Sequence, residues 1–570
     1  MNAIDRYNEW LNSSKVTSKD KELLAKMSSQ EIDDAFFKDI EFGTAGMRGL
    51  LGPGSNRINV YTIRKATVGF AIYLARKFRN ARERGVVISH DNRHMSREFV
   101  FECAQVLNEM GFRAFIFDSL RPTPELSFAV RFKRACGGIM ITASHNPKEY
   151  NGYKVYDENG CQLVPHKISS LLEIMDGLPS PIDVEIPKFK TPGEFIILDY
   201  KIDETYLNLI KGIQINSNLN KKDFKIVYSP EHGTSFVNAI RTFKECGYHV
   251  YPVLSQSAPD PDFTGTLSPN PEDPRAYSEA IKYAKKINAD LICVTDPDGD
   301  RLGIASKLRN GEYRIYTGNE SGALLMNYIF KEKERLGLLS KNGVMYNTIV
   351  TSSLGEKIAT SYGVKTEQFL TGFKYIGDRI QYYEENRGPE FEFGYEESYG
   401  CLLSPFVRDK DGVQAILLYT EMTLFYKLKN LTLDEQYDKL EKRFGYHTPV
   451  THSIEFKGSK GQNDMINLID YIRRNPMDYL CGHKVVKYND YLNQISYTED
   501  RQEKINLDSS NVLKFFFDDG SSIAIRPSGT EPKCKIYVEA ISTSREEADN
   551  YEKQLFHDFV LKYNINLDGE

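Results

Sequence analysis

A serine and a histidine stand together at the end of an apolar run, Ile139-Met-Ile-Thr-Ala-Ser-His-Asn-Pro147. In open α/β sheets, ligands bind in the loops at the carboxyl ends of the strands. Ser144 is therefore placed to act as a nucleophile or a phosphoryl carrier, with His145 beside it. A serine after a strand is more often a turn residue, and a histidine in such a turn more often supports than reacts. Three further loops give Ser144 its meaning.

Asp296-Pro-Asp-Gly-Asp-Arg301 follows a second apolar run and sets three carboxylates at alternate positions. That spacing suits a hard divalent cation, and without one the three charges repel. A calcium loop of the EF-hand type needs Gly at 301 and Glu at 307, where the chain has Arg301 and Lys307. A haloacid-dehalogenase-like phosphatase would use Asp296 as nucleophile and Asp298 as acid, but ordinarily carries Thr or Val where Asp300 stands. Mg²⁺, held by a few carboxylates and a phosphate oxygen, fits better. A phosphorylated Ser144 would supply that oxygen.

Arg526-Pro-Ser-Gly-Thr-Glu-Pro-Lys533 reads as a phosphate clamp. Arg526 offers a planar fork of donors, Ser528 and Thr530 offer hydroxyls, and Gly529 admits close backbone approach. Tyr395-Glu-Glu-Ser398 could hold sugar hydroxyls through Glu396 and Ser398. Lys410 and Lys154 are each a compact positive charge or an acid–base group near phosphate.

The elements that must carry these loops recur. A helix over Ile63–Phe78, strands at Val86–Ser89 and Ala114–Phe117, a helix over Phe99–Met110 and a strand at Gly138–Thr142 make a β-α-β-α-β succession. The same order returns from Phe224 to Val294 and from Val344 to Phe393, so three α/β units with largely parallel sheets are expected. Each ends in one of the polar loops. The tail changes character: Val512–Phe517 and Ser522–Ile525 flank a turn at Asp518-Asp-Gly520, the signature of a hairpin in a smaller α+β domain. Linkers are expected near 185–210, 308–320 and 435–450. The expected domains are 1–205, 206–318, 319–440 and 441–570.

At 570 residues the chain needs several cores. The net charge of -6 gives no global basic surface for nucleic acid. No apolar run is long enough for a membrane span, and the polar start, Met1 to Trp10, lacks a signal-peptide segment. The 8 cysteines show no C-x-x-C pair and read as free thiols of a reducing, cytoplasmic compartment. The sequence is silent on oligomeric state.

Taken in order, Thr142-Ala-Ser-His-Asn-Pro147, Asp296-Pro-Asp-Gly-Asp-Arg301, Glu396-Glu-Ser398 and Arg526-Pro-Ser-Gly-Thr530 resemble the phosphoserine, magnesium, sugar and phosphate loops of the α-D-phosphohexomutase superfamily. Phe42-Gly-Thr-Ala-Gly-Met-Arg48 and Leu51-Gly-Pro-Gly54 resemble its longer branch, which holds bacterial phosphoglucomutases and phosphopentomutases. The resemblance implies four domains around a central cleft. It implies that Ser144 carries the phosphoryl group, with His145 beside it, and that Asp296, Asp298, Asp300 and the Ser144 phosphate bind Mg²⁺. Arg48, Arg301 and Lys410 would face the reacting phosphate, with Lys410 the general acid–base and Lys154 a further catalytic candidate. Thr44, Thr371 and Gly372 would join the sugar and phosphate contacts. The implied reaction moves phosphate between C1 and C6 of glucose through glucose 1,6-bisphosphate. A pentose phosphate or mannose phosphate substrate is the alternative, because Tyr395 stands where glucose-specific members often have Gly. An Asp296-based phosphatase and a silent sugar-phosphate binder are the rivals of other classes.

Overall fold

Strands buried on both faces need unbroken apolar runs, and the chain supplies them at Val86–His90, Gly137–Ile141 and Leu291–Thr295, every residue of which is buried. The computed structural model describes residues 2–43, 46–456, 461–528 and 533–566. Two compact units emerge: Met1–Met345 with Gly372–Thr432, and Tyr346–Thr371 with Leu433–Glu570.

In the first unit a six-stranded sheet runs Met47–Leu50, Tyr150–Tyr156, Gly137–Ile141, Val86–His90, Ala114–Ile116, Phe195–Ile197. The last four strands are parallel, and Tyr150–Tyr156 alone runs antiparallel, both to Gly137–Ile141 and to Met47–Leu50. Helices Val60–Lys77, Ser96–Glu109 and Thr123–Lys133 accompany it, and Phe70, Leu74, Phe99 and Val106 fill its core with Ile88 and Ile139. Asn59 caps the first of these helices through the backbone N–H groups of Tyr61 and Thr62. The charged lead-in forms three short helices, and Trp10 anchors them edge-on to Phe36 and Tyr61 at 5.7 and 5.1 Å.

A five-stranded sheet repeats the plan. Lys225–Ser229 lies parallel between His249–Pro252 and Leu291–Thr295, and Leu302–Lys307 and Tyr313–Tyr316 fold back antiparallel. The third succession is strand Gly343–Thr348, helix Leu354–Ser361, strand Lys365–Phe369, helix Lys374–Asn386 and strand Glu390–Tyr395. The helix Gly412–Leu428 is buried over Gly412–Tyr426 and is capped by Asp411. Among the described residues no helix is long and apolar enough to cross a membrane.

The second unit holds an antiparallel sheet in which Tyr446–Glu455 pairs with Lys533–Ser542 over its full length. The expected hairpin is present as Leu513–Phe517 and Ser522–Pro527. The expected linkers are not structureless. Residues 435–450 hold most of a helix, Leu433–Phe444, and the start of Tyr446–Glu455, because Leu433, Tyr437 and Leu440 make a narrow apolar stripe in a charge-rich segment. The segments near 185–210 and 308–320 likewise contain Phe195–Ile197 and Tyr313–Tyr316, edge strands of their sheets.

Candidate active site

The strand Gly137–Ile141 delivers Ser144 through a tight loop in which the Thr142 hydroxyl accepts the Ser144 N–H at 2.8 Å. Ser144 itself adopts φ 52°, a left-handed backbone that a non-glycine residue holds only under constraint. The constraint is Arg93. Its fully buried guanidinium donates to the carbonyls of Ser144 (2.6 Å), Pro147 (2.8 Å), Tyr150 (3.0 Å) and Asn146 (2.5 Å). Asp91 pairs with Arg93 from behind at 3.1 Å and is equally buried.

The strand Leu291–Thr295 delivers the acidic loop. It turns at Gly299, φ 71°, whose N–H donates to the Asp296 carbonyl at 3.1 Å. A Cβ there would lie 2.9 Å from that of Pro122, so glycine is required. Asp296 accepts from the Ser144 hydroxyl at 2.9 Å and from the Arg301 N–H at 3.1 Å. Asp298 accepts from Lys154 at 2.9 Å and from the Thr123 hydroxyl at 3.1 Å. Asp300 meets Lys410 at 3.0 Å. One oxygen from each of the three carboxylates lies within 4.8 Å of the others. All three residues are buried, and Oδ1 of Asp298 and of Asp300 has no hydrogen-bond partner among the described residues. Hard oxygen donors, crowded negative charge and orphaned lone pairs together fit a divalent cation.

The charges follow from burial and neighbours. Burial, then Asp298 and Asp300, pushes the Asp296 carboxyl well above its ordinary range. Burial pushes Asp298 the same way, but Lys154 and a hydrogen bond from Asp296 outweigh it and hold the group low. Burial and Asp298 raise Asp300. Burial alone would lower Lys410, yet Asp300, Asp409 and Glu396 overcome it and keep the ammonium protonated. His145 is pushed well below its usual value by burial and by the cations Arg301 and Arg48. Its neutral ring sits with Nδ1 3.2 Å from the Ser144 hydroxyl.

The loop Tyr395-Glu-Glu-Ser398 joins the same site. Arg301 bridges to Gly400, and the Leu302 N–H donates to the Tyr399 carbonyl at 3.1 Å. Glu396 lies 3.9 Å from the Lys410 ammonium and accepts the Gly372 N–H at 3.0 Å. Burial lifts Glu396 to about 7, against the opposing pull of Lys410. Lys410 passes so close to Gly400 that a Cβ there would lie 2.0 Å from its Cδ.

Four models of one family match the chain in order: phosphoglucomutase/phosphomannomutase alpha/beta/alpha domain I over residues 39–180, domain II over 204–309, domain III over 317–444, and the C-terminal domain over 490–557. The chain belongs to the phosphoglucomutase/phosphomannomutase family. Like the family, it is an isomerase with the four-domain phosphohexomutase architecture. It is 36% identical over 523 residues to a phosphoglucomutase of Staphylococcus epidermidis, covering 91% of this chain and 94% of that one. A phosphoglucomutase of Staphylococcus aureus strain N315 is 37% identical over 524 residues, covering 91% and 92%. The fold is similar to that of parafusin, a phosphoglucomutase from Paramecium in its open form (TM-score 0.67, 19% identity, 92% and 96% covered). A phosphoglucomutase/phosphomannomutase family protein of Burkholderia thailandensis is similar in fold (TM-score 0.66, 18% identity, 92% and 98% covered).

Of the residues expected from sequence, Ser144, His145, Lys154, Asp296, Asp298, Asp300, Arg301, Gly372, Glu396 and Lys410 come together in the first unit. Arg48 joins them through the Asn146 side chain at 3.0 Å. Ser398 sits half-buried in the turn between Glu390–Tyr395 and Cys401–Leu402. Thr371, Arg526 and Ser528 belong to the second unit, where Arg526 pairs across the sheet with Lys535. Thr44, Gly529 and Thr530 lie outside the described residues. In this phosphoglucomutase/phosphomannomutase site, sequence reasoning missed Arg93, Thr123, Glu272 (an ion-pair partner of Arg301) and Asp409 (3.4 Å from the Lys410 ammonium). Arg93 was within reach, because Asp91-Asn-Arg93 also follows the carboxyl end of a parallel strand.

Proposed function

We propose that the protein interconverts α-D-glucose 1-phosphate and glucose 6-phosphate through a phosphorylated Ser144 and glucose 1,6-bisphosphate. The observation that carries this reading is the Ser144 hydroxyl, 2.9 Å from Asp296, within a buried set of three carboxylates. A phosphatase using Asp296 as its own nucleophile has no need of a serine at that distance, and its carboxylate would have to be free rather than engaged by Ser144 and Arg301.

In the forward half-reaction a sugar hydroxyl attacks phosphorus, the Ser144 Oγ–P bond breaks as the new O–P bond forms, and the proton lost by the sugar hydroxyl is balanced by the one that Ser144 Oγ gains as it departs. The second half reverses these events at the other end of the bisphosphate. Lys410, held protonated by Asp300, Asp409 and Glu396, enters as the proton donor and as a fixed positive charge. Arg48 and Arg301 face the transferring group, and neutral His145 orients the serine oxygen without competing for its proton. Asp296, Asp298 and Asp300 would hold Mg²⁺, which when bound lowers the cost of charge developing on the phosphoryl oxygens. Glu396 and Ser398 would take sugar hydroxyls with Thr371 and Gly372, and Thr44, Arg526, Ser528, Gly529 and Thr530 the phosphates.

Tyr395 does not weigh against glucose. Its ring is buried beneath the helix Gly318–Arg335, where a Cβ on Gly322 would meet it at 2.5 Å, so it presents nothing to substrate. The matched family segments support domains of 1–205, 206–318, 319–440 and 441–570. The 8 unpaired cysteines support a cytoplasmic enzyme. The test is a turnover assay with glucose, mannose and ribose 1-phosphates, with and without bisphosphate primer, alongside the intact mass of the protein. Glucose 1-phosphate should be turned over fastest, with a primer-dependent rise and one phosphoryl group on the chain. A preference for ribose 1-phosphate would replace the substrate, and hydroxylamine-labile phosphate would replace the mechanism.

A further inference from the structure

At the opposite end of the strand Gly137–Ile141 from Ser144, an open cleft of about 580 Å³ is lined by Arg84, Arg131 and Arg134, one carboxylate, Glu158, and the amides Asn80, Asn159 and Gln381. That volume lies in the range of ordinary small-molecule sites. Its charge balance is unusual. Glu158 is taken by Lys77 at 2.7 Å, and Glu384 lies 3.6 Å from Arg131. Arg84 is aimed by two backbone carbonyls, those of Arg134 and Ala135, both at 3.0 Å, and it stacks on Phe78 at 4.6 Å. Arg134 makes no side-chain hydrogen bond or ion pair among the described residues. Three guanidinium groups therefore share one hollow in which Glu158 is held by Lys77 and Glu384 is divided between Arg131 and Arg408. A guanidinium is a planar fork matched to phosphate oxygens, which makes a phosphoryl group the natural occupant.

The wall of this cavity is shared with the catalytic segment. The Gln381 side-chain carbonyl accepts from Arg131 at 3.0 Å and from Arg408 at 3.1 Å. Glu384 likewise pairs with both arginines. Arg408 is fully buried and precedes Asp409 and Lys410 directly. The helix Thr123–Lys133 adds a second connection, since Arg131 lies near its end and Thr123 at its start binds Asp298. Burial and the neighbouring Arg131 charge lower Arg408 to about 10, the mark of two cations crowding one pair of acceptors.

We propose that this cavity is a second anion site, which binds the phosphoryl group of a small metabolite and transmits its occupancy through Gln381 and Glu384 to Arg408 and Lys410. An anion drawn to Arg131 and Arg134 competes with Gln381 and Glu384 for Arg131, and so changes what they offer Arg408. The transmission rests on Lys410 acting in the mutase reaction; the binding does not.

Hydrogen exchange of the full chain, with inorganic phosphate, a hexose bisphosphate or a nucleoside triphosphate as probe, separates the two. At least one probe should give saturable protection of peptides covering 79–85 and 131–136. Arg134→Glu and Arg134→Ala, on an exposed residue, should abolish that protection, preserve protection around Ser144, and leave turnover without added anion within about twofold of wild type. The proposal is overturned if no probe protects these peptides at concentrations that protect the Ser144 loop, or if protection persists in Arg134→Glu. For transmission, saturating anion should shift KM or kcat by about fivefold or more in wild type and not in Arg134→Glu. Pocket protection with unchanged kinetics and unchanged exchange over 406–412 would overturn it. The choice of effective probe distinguishes free phosphate from a sugar phosphate or a nucleotide. If turnover itself is absent while the peptides are protected, the mutase reading fails and the anion site stands.

Discussion

The acidic loop Asp296–Asp300 of the first unit and the Glu539 cluster of the second both bury carboxylates, and they do so in opposite ways. Glu539 accepts from the Ser352 hydroxyl at 2.6 Å, from the Ser353 N–H at 2.9 Å and from His447 Nδ1 at 3.0 Å. Lys357 donates to the other His447 nitrogen at 3.0 Å, which fixes Nδ1–H as the donor to Glu539. Burial would raise this carboxyl, but its bonds to His447 and Ser352 bring it down to about 2. The acidic loop has three carboxylates, two lysines and two oxygens left without a hydrogen bond among the described residues. A cluster that completes its own hydrogen bonds is structural, whereas one that leaves lone pairs unmet is built for something that arrives.

The sharpest break between the two comes from Ser144→Ala. Turnover should fall by more than about 10⁴-fold, as when a nucleophile is deleted, with thermal unfolding little changed. Wild-type rates in that variant would remove the acidic loop from the chemistry. Chelation of divalent metal, or Asp298→Asn, should lower kcat by roughly 10³-fold, consistent with several kcal/mol of charge stabilisation. Added Mg²⁺ should restore the chelated enzyme only, and Asp298→Asn should also lose some stability, because it leaves the Lys154 ammonium without its carboxylate. Glu539→Ala should act on stability and spare the chemistry, costing about 3–5 kcal/mol by leaving His447 and its neighbours unpaired in the interior. Chemical denaturation measures this, and a loss below about 1 kcal/mol would mean the cluster is not structural.

The smallest effect compares Glu539 with a third buried carboxyl, Glu231. Burial lifts Glu231 to about 8, only partly countered by Thr266 and Ser229, and its Oε2 has no hydrogen-bond partner among the described residues. A carboxyl raised on folding favours the folded state at low pH, and that favour is lost as pH climbs from its unfolded value near 4.5 toward 8. Glu231→Gln should therefore raise stability at pH 7 by about 3 kcal/mol and flatten the pH dependence above 5. Glu539 has the opposite sign: its contribution is present above about 4.5 and is lost as pH falls toward 2. Denaturation midpoints of the two variants against pH should diverge in opposite directions, and parallel curves would refute the assignment.

Much of the site was legible because parallel strands announce themselves. Apolar runs at Ile139, Leu291 and Phe391 end in polar loops, and the sheet rule places those loops together. What was illegible involved single bonds between distant residues. Nothing in Pro122-Thr-Pro124 says that Thr123 binds Asp298, and nothing in Gln381 says that it ties Arg131 to Arg408. The segment 435–450 was misjudged as a linker because its charge density masked the stripe of Leu433, Tyr437 and Leu440.

By itself the sequence determined the order of elements, the identity of the reactive side chains and the glycines that let loops turn, because periodicity and residue chemistry are local properties. Tertiary structure alone decided which charges meet. It held Ser144 in a left-handed backbone through Arg93, protonated Lys410 through three carboxylates, and buried the Tyr395 ring against the helix Gly318–Arg335. Those outcomes depend on burial and on distances between residues far apart in the chain, where the energy of a charge is set by its surroundings more than by its kind.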